Sequence, residues 1–173
     1  MSLRPILIHP DPRLKKVCEP IARITPEIEA LADDMLATMY DAPGIGLAAP
    51  QVGVLKRLFV VDASREPELE PRAIVMVNPE LDWSSDETSA YEEGCLSVPD
   101  QYAEVTRPAQ VRMRWTGLDG KEHSDEFDGL WAICVQHELD HLNGVMFLDH
   151  ISAIKRQMIT RRMVKLKREM ARA

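Results

Sequence analysis

The chain has 173 residues, of which 45% are hydrophobic and 28% are charged, as expected for an ordinary globular protein of about one domain. Its longest apolar runs fall far short of the roughly 20 residues that span a bilayer, and its N-terminus lacks the features of an export signal, so we expect no membrane association. Three scattered cysteines are too few for a disulfide scaffold, which indicates a reducing cytoplasm.

The net charge of −7 is unevenly distributed along the chain. Residues 151–173 carry eight Lys or Arg against one Glu, whereas residues 1–150 are strongly acidic. An acidic body disfavours DNA as a partner, while a basic C-terminal tail is suited to a polyanion such as ribosomal RNA. A solvated surface helix is the simpler interpretation of the tail, and both interpretations are kept.

The N-terminal part predicts one amphipathic helix followed by a glycine-containing loop. Thr25 and Pro26 supply an N-cap and a first-turn proline, and apolar residues at helical spacing predict a helix over 26–41. Residues 44–51 then read GIGLAAPQ, where two glycines one residue apart indicate a sharp turn or a close approach of the backbone to another group. Gln51 is the side chain in this loop that can donate a neutral hydrogen bond.

The middle of the chain is predicted to form short strands. Residues 58–61 and 73–77 are β-rich runs, residues 81–83 are a further candidate, and residues 111–115 alternate apolar and polar side chains. An Asp-Gly pair at 119–120 is a hairpin signal after the last of these strands. Strands joined by hairpins pair antiparallel, so we predict an antiparallel sheet.

The stretch 129–144 carries the strongest functional motif, HELDH at residues 137–141, on a predicted helix. Histidines four residues apart lie on one helix face, so His137 and His141 can bind one metal ion together. Glu138 is rotated about 100° from the first histidine, so it can act as a general base on water at that metal without being a ligand. A helix with two hydrogen-bonded core histidines is the alternative.

A catalytic metal needs three protein ligands and an open fourth position, and this helix supplies two. Downstream, His150 and Glu169 are available, but the extended H-E-x-x-H-x-x-G-x-x-H pattern is absent and His150 lies beyond the predicted end of the helix. Cys95, in a tight bend after Gly94, is the best candidate because a thiolate is a strong donor for divalent ions. A small buried hydrophobic residue is the alternative interpretation of Cys95.

A last helix is predicted after Ser152, from apolar residues at spacings of three and four. The order of elements predicts an α+β fold, in which antiparallel strands wrap around a central metal-binding helix, with an N-terminal amphipathic helix and a C-terminal helix. We expect residues 1–173 to form a single catalytic domain, of which residues 151–173 are a basic C-terminal helix.

Three stretches resemble the signature motifs of the peptide deformylase family, in the family's order and at similar separations. They are GIGLAAPQ at 44–51, EGCLS at 93–97 and QHELDH at 136–141. The similarity extends over nearly the whole chain and is to the bacterial type of the family. Since the three motifs are independent of one another, the match is highly specific.

The resemblance implies a role for each matching residue. The metal ligands would be Cys95, His137 and His141. Glu138 would be the acid/base, and the Gln51 side-chain amide and the Leu96 backbone N–H would bind the oxyanion. Gly46 would lie beside the substrate backbone. The pocket for the substrate's first side chain would be lined by four residues, Ile45, Leu130, Ile133 and Cys134.

The implied reaction is hydrolysis of the N-formyl group from the N-terminal formylmethionine of nascent polypeptides, with release of formate. The resemblance also implies one divalent metal ion per chain, Fe²⁺ in the cell, with Zn²⁺, Ni²⁺ or Co²⁺ compatible with the same ligands. The partners would be a formylmethionyl nascent peptide and, through the basic helix, the ribosome. The alternatives are an endopeptidase that uses the same helix, and a non-catalytic metal module that docks on RNA.

Overall fold

The computed structural model describes residues 1–64 and 70–173. Within these residues it contains three α-helices, α1 (Pro26–Asp41), α2 (Gly129–Leu142) and α3 (Ala153–Arg172). The strands are β1 (Gly46–Ala48), β2 (Leu58–Val61), β3 (Ile74–Ser84), β4 (Thr88–Cys95), β5 (Val98–Pro108), β6 (Val111–Thr116) and β7 (Glu122–Phe127). This is the α+β arrangement that the sequence predicts.

The strands form two antiparallel sheets. Five of them pair in the order β1-β2-β3-β6-β7, and β4 pairs with β5 in a separate hairpin. The runs 73–77 and 81–83, predicted as separate strands, both fall in β3, except for residue 73, which precedes it. Asn78 joins them with a positive φ of 50°, where the pairing of β3 with β6 shifts register. Asn is one of the residues that tolerates this conformation, so the strand continues through the irregularity.

Helix α1 forms where the sequence predicts it. The Thr25 hydroxyl accepts a hydrogen bond from the Ile28 backbone N–H at 3.3 Å, and Pro26 occupies the first turn, where an N–H is not needed. The apolar face of α1 packs against β1 and β2 in a buried cluster that includes Leu31, Met35, Met39, Leu47 and Leu58. This cluster fixes the GIGLAAPQ motif, which begins just after the helix, against the sheet.

Helix α2 has different neighbours on its two sides. Its apolar residues Ala132, Val135 and Leu142 pack in a buried cluster with Phe59 and Met113 of the five-stranded sheet. Its polar residues are hydrogen-bonded to the β4–β5 hairpin, as when the Gln136 side chain donates to the Pro108 carbonyl at 3.0 Å. The strands therefore enclose α2, which confirms the predicted central helix.

The extended N-terminal segment joins elements that are distant in sequence. The Leu7 N–H donates to the Gln51 carbonyl at 2.7 Å, and the His9 N–H donates to the Ser97 carbonyl at 2.9 Å. The His9 ring also makes a 2.9 Å hydrogen bond with the Thr160 hydroxyl of α3. This segment therefore connects the first two sequence motifs to each other and to the C-terminal helix.

Helix α3 begins after Ser152, whose hydroxyl accepts a hydrogen bond from the Lys155 N–H at 3.3 Å. Ile159 and Met163, four residues apart, are buried in a cluster with Val105 of β5. Most of its other side chains, including the cations, are exposed or partly exposed. In the described part of the chain, no helix combines the length and the apolar character needed to cross a bilayer.

Candidate metal centre and active site

Helix α2 presents His137 and His141 side by side because residues four apart lie on the same face. Their rings are T-shaped to each other, with centroids 5.0 Å apart, and both side chains are buried. The helix ends at Leu142, and Gly144 follows with a φ of 74°. A Cβ at Gly144 would lie 2.5 Å from the Lys15 carbonyl oxygen, so both the conformation and the contact require glycine.

Cys95 reaches this pair of rings from the end of β4. The pairing of β4 with β5 shifts register between Glu93 and Cys95, which turns the cysteine towards α2. At the intervening Gly94, a Cβ would lie 2.6 Å from the Tyr102 ring, so a side chain there would require this exposed tyrosine to move. The Cys95 Sγ lies 3.4 Å from the His141 Nε2.

The three side chains offer the donor set of a divalent metal site. One ligand atom from each of Cys95, His137 and His141 lies within 4.8 Å of the others. A sulfur and a nitrogen bound to one tetrahedral zinc ion are about 3.6 Å apart, close to the 3.4 Å between Cys95 Sγ and His141 Nε2. Two imidazoles and a thiolate therefore fit a divalent ion both in chemistry and in spacing.

A buried ion pair between Glu93 and Arg107 positions the ring of His137. The His137 Nδ1 donates to the Glu93 carboxylate at 2.9 Å, which leaves its Nε2 for a metal ion. Arg107 donates to both oxygens of the same carboxylate, at 2.7 and 3.0 Å. Burial alone would raise the pKa of Glu93, but the hydrogen bonds from His137 and Arg107 outweigh it and hold that pKa below its usual value.

The two histidines have opposite electrostatic environments. Burial opposes protonation of His137, but the neighbouring Cys95 thiol and the hydrogen-bonded Glu93 carboxylate raise its pKa well above the usual value. Burial, followed by the charges of His137 and Arg107, lowers the pKa of His141 well below it. Among the described residues, no group is hydrogen-bonded to the His141 Nδ1. The two rings therefore differ in environment, since His137 lies beside the Glu93 carboxylate and His141 does not.

Glu138 is buried beside the two histidines without joining their donor set. Its Oε1 lies 3.8 Å from the His137 Nε2, and its Oε2 has no hydrogen-bond partner among the described residues. Burial raises the pKa of Glu138 to about 7. A Cβ at Gly46 would lie 2.9 Å from the Glu138 Oε1, so the predicted close approach of the glycine-containing loop is to this carboxylate.

Gln51 is fixed in a hydrogen-bond network that directs its amide towards the cluster. Its side-chain oxygen accepts from the Ala48 N–H at 2.9 Å. Its Nε2 donates to the Ser97 hydroxyl at 3.1 Å and to the Cys95 Sγ at 3.4 Å. Because Gln51 is only 1% exposed, it is held in this orientation by its protein neighbours alone.

These groups line one cavity of about 600 Å³. Its walls include the residues predicted for catalysis and metal binding, Gln51, Cys95, Leu96, His137 and Glu138, and those predicted for the substrate, Ile45, Gly46, Leu130, Ile133 and Cys134. His141 is fully buried and does not line the cavity. The Cys134 thiol donates to the Ile45 carbonyl at 3.3 Å, which joins two walls of the pocket.

Sequence reasoning missed the residues that support this site. Glu93 stands inside the EGCLS motif, and its position beside a candidate ligand was a signal for a supporting role. Arg107 gave no local signal, because its pairing with Glu93 depends on the register of the β4–β5 hairpin. Ser97 also lies in a motif, but its contact with Gln51 joins two distant segments.

Comparisons with known proteins agree on one family. The family model for polypeptide deformylase matches residues 3–157. A peptide deformylase of Rhizobium meliloti (strain 1021) is 54% identical over 165 residues, which cover 95% of this chain and 94% of that relative. Among solved structures, a peptide deformylase from Legionella pneumophila has a TM-score of 0.91 and 43% identity, with 99% of each chain covered.

A peptide deformylase from Ehrlichia chaffeensis, solved in complex with actinonin, has a TM-score of 0.93 and 37% identity, covering 97% of this chain and 99% of that one. The matches in sequence and in structure thus span nearly the whole chain, including the elements that carry Gln51, Cys95 and α2. The chain that builds this cavity therefore belongs to the peptide deformylase family.

Proposed function

We propose that Cys95, His137 and His141 hold one divalent metal ion, with which the chain performs the reaction of its family, removal of the N-formyl group from nascent peptides. One observation carries this assignment: the three donor atoms lie within 4.8 Å of one another, and two of the residues line the cavity that Glu138 also lines. We propose Fe²⁺ as the ion in the cell, because the resemblance to the family implies it; the same ligands also accept Zn²⁺, Ni²⁺ and Co²⁺.

When bound, the ion would act as a Lewis acid on the formyl oxygen and lower the pKa of a water molecule beside it. Glu138 would take the proton of that water and later deliver it to the leaving nitrogen, so that formate and a free amino terminus are produced. A pKa of about 7 suits a group that must both accept and release a proton near neutral pH.

The charge that develops on the formyl oxygen needs preorganised donors. The Gln51 Nε2 and the Leu96 backbone N–H are the groups proposed for this role, and both residues line the cavity. A donor of this kind contributes about 3 to 4 kcal/mol to transition-state stabilisation in a comparable oxyanion site. Because Gln51 is held by Ala48 and Ser97, only its N–H that contacts the Cys95 Sγ would have to turn to the formyl oxygen.

The remaining walls would select the substrate's first side chain. Ile45, Leu130, Ile133 and Cys134 give the pocket apolar and thiol groups, which suit the unbranched thioether of methionine. Gly46, which lines the same cavity, would lie beside the peptide backbone.

The decisive experiment is formate release from a formylmethionyl tripeptide, measured anaerobically with parallel metal analysis. We expect one metal ion per chain and a kcat that falls by at least a hundredfold in Glu138→Gln, which keeps the shape but removes the base. Unchanged turnover in this variant with the metal still bound would refute the role of Glu138. Cleavage of internal bonds in unformylated peptides would instead support the endopeptidase alternative.

We also propose that α3 belongs to the catalytic domain, residues 1–173, and contacts the ribosome in the cytoplasm through its exposed cations. Two observations support this: Ile159 and Met163 anchor the helix in a shared core, and residues 151–173 carry eight Lys or Arg. Co-sedimentation with ribosomes at low and high salt tests the contact. Replacing Arg161, Lys165 and Arg168 with Gln should abolish salt-sensitive binding without changing tripeptide turnover.

A further inference from the structure

A continuous series of polar contacts runs from the candidate ligand His137 to the protein surface. His137 donates to Glu93, and Glu93 accepts two hydrogen bonds from Arg107. The third guanidinium nitrogen, Nη1, donates to the Asp140 Oδ2 at 2.9 Å. The same Asp140 oxygen accepts from the His150 Nε2 at 2.8 Å. The mechanism proposed above makes no use of Asp140 or His150.

The two carboxylates fix the guanidinium of Arg107 from two sides. Glu93 engages Nε and Nη2, while Asp140 engages Nη1, so the planar group cannot rotate without breaking charged hydrogen bonds. The Arg107 and Glu93 side chains are only 6% and 3% exposed, so solvent does not replace these contacts. The position of Glu93, and through it the ring of His137, therefore depends on Asp140.

Asp140 also sets the charge balance beside the ligand. One guanidinium faces two carboxylates, so Arg107, Glu93 and Asp140 together carry a net charge of −1. A net negative charge next to the Nδ1–H of His137 makes the Nε2 of the same ring a stronger ligand for a metal ion. It therefore favours a cation beside Nε2. Without the Asp140 charge, Arg107 would be balanced by Glu93 alone, and this support would be lost.

His150 holds Asp140 in place from outside. It lies after the turn that follows α2, its side chain is 37% exposed, and it donates to the oxygen that also accepts from Arg107. We propose that Asp140, tethered by His150, is a positioning residue for the ligand His137, acting through Arg107 and Glu93. This inference rests on the proposed ligand set of Cys95, His137 and His141.

The hairpin between β6 and β7 supplies matched controls for the test. There His123 makes 3.1 Å contacts with Asp119, and its side chain is 43% exposed, close to the value for His150. This pair lies outside the residues that line the metal-site cavity. Asp119→Asn and His123→Phe therefore repeat, away from the site, the changes Asp140→Asn and His150→Phe.

The measurement is the Kd for Zn²⁺, by competition with a chromophoric chelator, together with the absorption spectrum of the Co²⁺-loaded protein. We expect Asp140→Asn to weaken Zn²⁺ binding about 10- to 100-fold and to shift the cobalt spectrum, because the orientation of a ligand changes. His150→Phe should weaken binding about threefold, since it removes only the tether. The two control variants should match the wild-type protein.

The outcomes separate positioning from a purely structural role. If Asp140→Asn lowers the Tm but leaves the Zn²⁺ Kd and the cobalt spectrum unchanged, the inference is overturned. If Asp140→Asn fails to fold, the variant of the more exposed His150 provides the test. A Zn²⁺ Kd for His150→Phe equal to that of His123→Phe would then overturn the inference. A wild-type protein that binds no Zn²⁺ would refute the ligand set itself, which distinguishes failure of the proposed function from failure of this inference.

Discussion

Gly46 is the residue at which a single added carbon would disturb the candidate site most directly. Its backbone passes so close to Glu138 that a Cβ would lie 2.9 Å from the Oε1 and 3.0 Å from the carboxyl carbon. Glu138 is only 3% exposed, so its carboxylate has little room in which to move aside. The conformation of Glu138, the proposed general base, is thus limited by a residue that has no side chain.

We expect Gly46→Ala to reduce kcat for a formylmethionyl tripeptide about 10- to 100-fold, because displacement of a catalytic group by about 1 Å has effects of this size. Metal content should stay at the wild-type level, since an added Cβ at Gly46 contacts none of the three proposed ligands. Gly120→Ala is the control: that glycine has a φ of 77° but no atom within 4 Å of an added Cβ, so this variant should lose stability and keep its kcat. Equal losses of kcat in both variants would contradict this reasoning.

Tyr40 allows a test of local electrostatics outside the site. Its hydroxyl donates to the Asp62 carboxylate at 2.6 Å, and desolvation of this hydroxyl, together with the carboxylate, raises the pKa of Tyr40 to about 12, although 45% of the residue is exposed. The folded state thus favours the protonated phenol. The stability gained is fully present below the unfolded pKa of about 10 and is lost as the pH rises through about 12.

A pH titration of the tyrosinate absorbance, taken as the difference between the wild-type protein and Tyr40→Phe, should show this transition near pH 12. Asp62→Asn removes the carboxylate charge and should bring the transition to lower pH. If the difference spectrum titrates at the value of free tyrosine in both backgrounds, the Tyr40 hydrogen bond to Asp62 does not form in solution.

At the scale of single residues, the sequence predicted the site residues that lie inside motifs. It missed the residues whose role depends on which strand segments pair with each other. The two histidines of α2 are four residues apart, so helical geometry alone brings them together. The partner of Glu93 is Arg107, fourteen residues away on the facing strand, and nothing local to Arg107 marks it for burial. Pairing across a hairpin depends on register, which neighbouring residues do not reveal.

At the scale of elements, α3 shows how one helix divides structural and surface roles. Ile159 and Met163 are buried four residues apart, whereas Ile154 on the same helix is 74% exposed. The sequence predicted the helix from this apolar spacing, and the structure confirms it over Ala153–Arg172. The sequence did not predict which element the apolar face of α3 packs against. The spacing of apolar residues identifies that face of a helix but not its neighbour.

We expect Ile159→Ala to lower the free energy of unfolding by about 2 to 4 kcal/mol, because it removes buried methyl groups from the cluster shared with β5. Ile154→Ala is the matched control and should change it by less than about 0.5 kcal/mol. Urea unfolding of both variants measures the difference. Similar effects at the two positions would mean that α3 does not pack on β5 as described.

Strand β3 shows the limit of prediction for the sheet. The sequence predicts two separate β-rich runs, 73–77 and 81–83, with Asn78 and Pro79 between them. In the structure, the Asn78 side chain instead donates to the Ile21 carbonyl and accepts from the Ile21 N–H, each at 2.8 Å. Asn78, which separates the two predicted runs, is therefore held by an N-terminal segment whose sequence has no periodic pattern.

At the scale of the whole molecule, the candidate metal site joins parts of the chain that otherwise belong to different clusters. Cys95 packs with the cluster that contains α3 and β5, whereas residues of α2 pack on the five-stranded sheet. A metal held by Cys95, His137 and His141 would cross-link these two cores. Sequence predicted that strands surround the central helix, but not that the N-terminal segment is bonded to two of the motifs, since that segment has no regular pattern.

Metal removal should therefore reduce the stability of the whole chain. An ion that binds only the folded state at a thousandfold excess over its Kd contributes about 4 kcal/mol, so we expect a chelator to lower the Tm by on the order of 10 °C. Differential scanning calorimetry with and without chelator measures this shift. In Cys95→Ala the shift should be much smaller, and an undiminished shift in that variant would contradict Cys95 as a ligand.

The unequal spacing of the three proposed ligands along the chain has a consequence for biogenesis. Helix α2 on its own places two nitrogens on adjacent turns, whereas the sulfur joins them only when the β4–β5 hairpin packs against that helix. An ion held by α2 alone would have two protein ligands and would exchange with ions in solution more readily than an ion held by all three. Packing of the hairpin would then decide which ion the folded chain retains.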